Sequence, residues 1–460
     1  MSPRPLKVLF ICHNHPSVRP GGAEAYALEL HRHLRELNGF SSIFLAKGGP
    51  PLADVERPHL GTCVSTVDGS PDEYFFHTDG YSFDWLFGTI PHDKDIYTKH
   101  FRSFLLAADP DVVHLHHTLF FGYDLLREIR NSLPSVPIVY TLHEYMPICH
   151  RQGQMLRVGT EEACDFESPR RCNECFPEIT PQSFFLRKRF VLSHFSVVDQ
   201  FIAPSAFLRD RYVDWGIPEE KIVVEEYGRT PPAGSAPAGE RTFRDRFGFF
   251  GQLSHYKGVH VLLEAMKSLS STGRDTTADD PLLRALELAV LPGSGEPRLE
   301  GATPRPHLWV HGANLDLQPG AFQTKVEELL EATRENVTYV GRYDHEQLAD
   351  YMSNIDWVVV PSLWWENSPL VIQEAFHFGR PVICTNHGGM AEKVIDGING
   401  LHFRAGDAAD LARTIERAAG TPGLWEELRA GIPPVHSMES HVVRLSELYR
   451  SLLDREVAVA

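Results

Sequence analysis

The 460-residue sequence predicts an α/β protein built as two doubly wound, parallel-sheet lobes facing across a cleft. Three observations predict it. Short apolar, β-branched or aromatic runs alternate with longer stretches of helical periodicity. The alternation stops at a Pro/Gly/Ala-rich segment and then restarts. Each half opens with the same order of strand, glycine turn and helix. The first lobe is expected over 1–228, a linker over 229–239 and the second lobe over 240–436, with a helix at 437–460 returning to the first lobe.

In chain order, Leu6–Cys12 is a near-continuous apolar run, the mark of a strand covered on both faces. The turn ending in Pro20, Gly21 and Gly22 follows, and then Ala27, Leu30, Leu34 and Leu37 recur at helical spacing. Further strands are expected at Val112–Leu115, Pro137–Thr141 and Phe201–Ala203. After the linker come Phe247–Gly251, a helix opening near Gly258, and strands at His307–His311, Val337–Val340, Ile355–Val360 and Pro381–Cys384. The stretch 271–305 is rich in Gly, Pro and Asp and reads as an insertion with at most one short helix, Pro281–Leu291. Val442, Leu445, Leu448 and Leu452 carry the apolar stripe of the last helix.

Composition narrows the function. With 44 Lys+Arg against 61 Asp+Glu the net charge is −17, which argues against a general nucleic-acid binder but not against one cationic pocket for an anionic small molecule. No run reaches the ~18 apolar residues of a membrane span, and the N-terminus leads straight into a strand, so the cytoplasm is the expected compartment. Seven cysteines, an odd number, fit thiols or a metal site better than a disulfide framework.

The chemistry concentrates in Glu366-Asn367-Ser368-Pro369-Leu370-Val371-Ile372-Gln373-Glu374. Ser followed by Pro predicts a helix start, so Glu366 falls in the loop before the helix and Glu374 about two turns along it. The amides of Leu370, Val371 and Ile372 would form an anion site at the helix N-terminus. A carboxylate beside such a site suits a ligand with both hydroxyls and phosphate. Taken alone, two glutamates are more simply a dipole-complementing acid and a solvated helix residue. The segment Gly251-Gln252-Leu253-Ser254-His255-Tyr256-Lys257-Gly258 weighs against that reading, because it is a second strand-to-helix turn with a lysine poised at the cleft.

Together these residues resemble the family-4 retaining glycosyltransferases of the GT-B fold, which has two Rossmann-like lobes. The resemblance rests on Glu366 and Glu374 seven residues between them, on His387-Gly388-Gly389 through Asp396-Gly397-Ile398-Asn399-Gly400, on the turn 251–258, and on Gly21-Gly22-Ala23-Glu24. It implies that Glu374 holds the ribose of a nucleotide-diphosphate sugar, that Glu366 contacts the transferred sugar and that Lys257 neutralises the leaving diphosphate. Gly21, Gly22, Gln252, Ser368, Pro369, Leu370 and Val371 complete the implied donor site. The family's arginine in the 251–258 turn is replaced by Gln252, so one charge contact is absent or comes from elsewhere, such as Arg380 or a histidine. No cofactor is required for that chemistry.

In the first lobe, His114 and His116 share one side of a strand, with His116 nearer its carboxyl end, and His143 ends the next strand. His116 and His143 are candidate hydrogen-bonding residues for donor or acceptor; each can equally be a satisfied structural histidine. Cys149, Cys164, Cys172 and Cys175 ending in Cys-x-x-Cys suggest a structural zinc site, with four reduced thiols or an opportunistic disulfide as the alternative. The acceptor is expected to be a saccharide or a lipid-linked molecule. Tyr74-Phe75-Phe76 through Tyr81, Phe83, Trp85 and Phe87 is a candidate stacking loop. The basic, apolar segment Phe184–Leu192 is a candidate peripheral contact with the inner membrane face, or simply a helix packed on the first sheet. Polysaccharide, glycolipid or glycoconjugate biosynthesis is the expected setting. Two rivals stand beside transfer: a nucleotide-sugar epimerase on the same fold, and a non-catalytic nucleotide-sugar-binding protein.

Overall fold

The computed structural model describes residues 4–18, 21–48, 63–77, 86–88, 97–230, 232–237, 239, 241, 243–272 and 303–459. The expected helix Pro281–Leu291, Pro20, and Tyr81, Phe83 and Trp85 of the aromatic stretch lie outside these residues. The chain divides into two compact units, Met1–Thr230 with His436–Ala460, and Pro231–Val435.

The first unit carries an eight-stranded sheet in the order β3-β4-β2-β1-β5-β6-β7-β8. Its strands are β1 (Leu6–Cys12), β2 (Phe40–Lys47), β3 (Val64–Thr66), β4 (Glu73–Phe76), β5 (Val112–Leu115), β6 (Ile138–Thr141), β7 (Gln200–Ala203) and β8 (Ile222–Val224). All pairs are parallel except β3 against β4, an antiparallel edge that the sequence reading did not include. Val8 through Cys12 are fully buried, as a central parallel strand with both faces covered requires. Strand order reverses between β1 and β5, so the loops after them share the switch point of the sheet. The helix α1 (Gly22–Glu36) follows β1 and packs beside α6 (Met438–Val459), the long C-terminal helix.

The second unit has six parallel strands in the order β11-β10-β9-β12-β13-β14. These are β9 (Arg246–Gln252), β10 (His307–Ala313), β11 (Val337–Gly341), β12 (Trp357–Val360), β13 (Val382–Thr385) and β14 (Gly400–Phe403). Its apolar runs are continuous because each face of the sheet has its own core. Trp357 and Val359 pack with Phe247, Phe249 and Val310 on one face, while Val358 and Val360 pack with Phe250, Ile372 and Met390 on the other. Each such fully buried side chain stabilises by roughly 1.5–3 kcal/mol. The order again reverses beside the first strand, between β9 and β12.

Candidate active site

Because β9, β12 and β13 are adjacent and parallel, the loops at their carboxyl ends are neighbours. Gly258 stands at φ +70°, and a Cβ there would lie 1.9 Å from the Pro361 carbonyl oxygen. Only glycine lets the turn after β9 come that close to the loop after β12. The Leu363 N–H also donates to the Tyr256 carbonyl at 2.8 Å. This backbone approach brings Lys257 Nζ to 2.5 Å from Glu366 Oε1, although the two residues are 109 positions apart. From the β13 side, the Gly389 N–H donates to the Glu366 carbonyl at 2.6 Å, and a Cβ at Gly389 would sit 1.7 Å from the Asn367 carbonyl oxygen.

Glu366 Oε1 accepts three hydrogen bonds, from Lys257, from Ser362 Oγ at 2.9 Å and from Trp364 Nε1 at 2.8 Å. Its side chain is only 10% exposed, against 30% for Lys257. Burial works to raise its pKa, but the Lys257 charge and these hydrogen bonds outweigh it and hold the carboxyl below its usual range. Lys257 Nζ also lies 5.5 Å from the centre of the Trp364 ring.

The helix after this loop, α4 (Leu370–His377), starts one residue later than the sequence suggests, with Pro369 extended at its mouth. The Ile372 amide donates to the Pro369 carbonyl at 3.1 Å, which leaves Leu370 and Val371 as the amides that open the helix. Ser368 is buried, and its Oγ has no hydrogen-bond partner among the described residues. Glu374 is buried one turn along and meets His345 Nε2 at 2.9 Å. Gln252 is exposed at the end of β9, opposite Ala313. Near that edge Asn314, Asp316, Tyr339 and Arg342 line a cavity of 480 Å³. Arg380 does not stand in for the arginine absent at Gln252. It is fully buried, and its guanidinium donates to the carbonyls of Met352, Ile355, Phe378 and Ala236.

In the first unit, Gly21 precedes α1 and Gly22 opens it, which places Glu24 in its first turn. The switch point between β1 and β5 collects imidazoles and carboxylates. His13 Nε2 lies 2.9 Å from Glu24 Oε1, His117 Nε2 lies 3.1 Å from Glu144 Oε1, and the His13 and His117 rings are 4.8 Å apart. The Leu119 N–H donates to His117 Nδ1, so the ring proton sits on Nε2 and faces Glu144. Burial would raise the Glu24 pKa, yet its bond to His13 and the His13 charge keep it low.

His116 is fully buried behind His143, with its Nδ1 3.2 Å from His143 Nε2 and its Nε2 unpartnered among the described residues. His143 is half-buried, and its Nδ1 lies 2.6 Å from Tyr227 Oη. Burial pushes both imidazoles well below the usual histidine pKa, so both are neutral at pH 7. His114 is structural, held between Tyr449 and Thr141 at 2.7 Å each. Sequence reasoning therefore missed the His13–Glu24 and His117–Glu144 pairs, as well as Ser362, Trp364 and His345. The available signals were His13 directly after β1 and the aromatic pair Trp364-Trp365 directly before Glu366.

The Cys149, Cys164, Cys172 and Cys175 side chains are free, half-buried thiols. Cys172 and Cys175 lie on the short helix Pro169–Cys175, which is capped by Ser168. Burial raises the Cys172 thiol to about 12, with the charges of Glu167, Cys149 and Cys164 adding to the effect. In the segment Phe184–Leu192, which lies in α2 (Pro181–Phe195), Arg187 is buried and donates to the carbonyls of Met146, Pro147 and Ile148. Lys188 pairs with Glu167 at 3.4 Å. The exposed residues of this helix are Gln182, Phe185, Leu186 and Arg189. No helix among the described residues is long and apolar enough to cross a membrane.

Two family models match the chain in succession, "Glycosyltransferase Family 4" over residues 20–225 and "Glycosyl transferases group 1" over 244–420. The chain belongs to glycosyltransferase family 4. This family-4 chain is 24% identical over 453 residues to the D-inositol 3-phosphate glycosyltransferase of Streptomyces bingchenggensis, covering 93% of itself and 84% of that protein. It is 26% identical over 229 residues to a glycogen synthase of Mycobacterium tuberculosis, covering 49% of itself and 46% of that protein. Among solved structures, it matches the sucrose-phosphate synthase of Thermosynechococcus elongatus with a TM-score of 0.65 at 19% identity, covering 98% and 100% of the two chains. Anabaena HepE, solved with UDP and glucose, gives 0.58 at 17% identity, covering 97% and 100%. The GT-B fold expected from the motifs is thus the fold of this family-4 glycosyltransferase.

Proposed function

We propose that the chain transfers a sugar, with retention of anomeric configuration, from a nucleotide-diphosphate donor to a saccharide or other hydroxyl acceptor. The observation that carries this reading is the Lys257–Glu366 pair at the switch point of the second sheet, beside the mouth of α4. Lys257 and the Leu370 and Val371 amides meet the leaving diphosphate, whose charge grows as the anomeric C–O bond breaks. Glu366, fixed by Ser362 and Trp364, accepts from hydroxyls of the transferred sugar. Glu374, now bonded to His345, takes the ribose hydroxyls, and the 480 Å³ cavity takes the nucleoside. The acceptor hydroxyl attacks on the face the diphosphate leaves, and its proton passes to the departing phosphate oxygen. In the first unit the neutral His143 hydrogen-bonds substrate hydroxyls, and His116 behind it is a positioning residue.

HepE, solved with UDP and glucose, supports the choice of donor class. Proton NMR of the reaction with UDP-, GDP-, ADP- and dTDP-sugars tests the reading. A product with the donor's anomeric configuration supports it; an inverted product, or donor left unconsumed with every acceptor class, overturns it. Epimerisation of donor without acceptor would instead establish the rival enzyme. A cytoplasmic enzyme of polysaccharide or glycoconjugate biosynthesis is the setting we propose, with Phe185, Leu186 and Arg189 as a peripheral membrane contact tested by liposome flotation. Structural zinc on Cys149, Cys164, Cys172 and Cys175 is proposed with it. Stoichiometric zinc lost in Cys172→Ser supports that assignment, and its absence from wild-type protein removes it.

A further inference from the structure

The segments on which the chain leaves and re-enters the first unit lie side by side. The Arg229 N–H donates to the His436 carbonyl at 3.1 Å, and the Met438 N–H donates to the Arg229 carbonyl at 3.1 Å. This pairing places Glu225, just past β8, against His436 and the first turn of α6. His436 Nε2 lies 2.9 Å and His441 Nδ1 3.1 Å from the same oxygen, Glu225 Oε1. The three ligand-type atoms all lie within 4.8 Å of one another.

From this convergence we propose that Glu225, His436 and His441 form a zinc-binding site that clamps the outgoing and returning segments together. Two imidazole nitrogens and one carboxylate oxygen are a borderline N/O donor set, which suits a tetrahedral zinc ion with a water in the fourth position. Zinc–ligand bonds of ~2.0–2.2 Å put tetrahedral ligand atoms about 3.3 Å apart. The contacts of 2.9 and 3.1 Å therefore need to open by only a few tenths of an ångström.

The surroundings orient these ligands as an outer shell does. Arg444 Nη1 holds the other carboxylate oxygen, Oε2, at 3.2 Å, which leaves Oε1 as the inward, monodentate donor. Arg444 is 64% exposed, so its charge is largely met by water. His441 is fully buried, and its Nε2 lies 2.7 Å from Tyr26 Oη. When Nδ1 takes the metal, the ring keeps its single proton on Nε2 and donates it to Tyr26, whose hydroxyl serves as acceptor or donor alike. His436 and Glu225 keep 16% and 12% exposure, which gives the fourth position access to water. The site is distinct from the cysteine quartet and does not depend on the glycosyl-transfer reading.

Cobalt separates the two sites, because thiolate ligands add an intense near-ultraviolet charge-transfer band that N/O ligands lack. Full-length protein stripped with chelator is titrated with Co²⁺, and the visible d–d bands are followed. The expected result is one Co²⁺ equivalent per chain, in addition to any held by the cysteine quartet, whose tetrahedral bands rise without added charge-transfer intensity and are displaced by one equivalent of Zn²⁺. His436→Gln, at the more exposed ligand, abolishes the bands of that equivalent and lowers the zinc-dependent rise in thermal midpoint. Glu225→Gln does the same, with circular dichroism confirming the fold of each variant. Wild-type protein without these bands, or bands unchanged in a folded variant, overturns the proposal.

Discussion

Replacing Lys257 with Met removes the cation from Glu366 while keeping most of the side-chain volume. At 2.5 Å the pair attracts by about 6.6 kcal/mol at an effective dielectric of 20, before desolvation is counted. Removing one partner of a buried pair typically costs ~3–5 kcal/mol. Lys257 is 30% exposed, so about 2–3 kcal/mol is expected at pH 8. The loss depends on pH. In the native protein Glu366 is held below its usual range, so its contribution is complete above the unfolded carboxyl pKa of about 4.3 and disappears as pH falls through the folded value. Without Lys257, burial dominates and Glu366 takes up a proton at higher pH. The stability gap between wild type and Lys257→Met therefore widens from pH 5 to pH 8. Urea unfolding can follow it through Trp364, which bonds Glu366 directly. In Lys257→Met/Glu366→Gln the buried charge is gone and much of the loss returns. Equal gaps at pH 5 and pH 8, or strict additivity in the double variant, would refute this account of the pair.

Gly389→Ala should destabilise by about 1–3 kcal/mol and abolish transfer, because its methyl would collide with the Asn367 carbonyl. Gly320→Ala, with no atom within 4 Å, should stay within about 0.5 kcal/mol of wild type in the same urea assay. Burial lowers His114, His116 and His143 well below the usual histidine value, His31 and His260 to about 3, and His311 to about 4. Below about pH 6.5 the unfolded chain binds protons that these folded residues refuse, so stability falls by up to about 1.4 kcal/mol per pH unit for each. Calorimetry should show the melting temperature dropping between pH 7.5 and 5.5; a flat profile contradicts these burials. Arg187→Met should destabilise measurably by orphaning the Met146 and Pro147 carbonyls, whereas Arg189→Ala should have little effect on chemical unfolding.

The second sheet was legible because Trp357-Val-Val-Val360 alternates between two apolar cores, so every position in the run is hydrophobic. Lys257 and Glu366 were legible through motif order, not spacing, since no local pattern joins residues 109 positions apart. The antiparallel edge was not, because Val64–Thr66 is only three residues long with mostly exposed side chains. Arg380 reads as a free cation in sequence; only the fold shows the four carbonyls it serves. Strand periodicity favoured His116, yet beyond the end of β5 the chain leaves the pleat, and His117 is the residue that reaches a carboxylate. Glu225 stands 211 and 216 positions before His436 and His441, so no local spacing joins the carboxylate to the two histidines.

The most direct test of the central claim is release of nucleoside diphosphate from UDP-, GDP-, ADP- and dTDP-sugars by wild type and Lys257→Met in the presence of saccharide acceptors. The account predicts turnover of one donor class by wild type and a loss of about 100-fold or more in kcat without Lys257. Turnover that survives in Lys257→Met at the wild-type rate would contradict it.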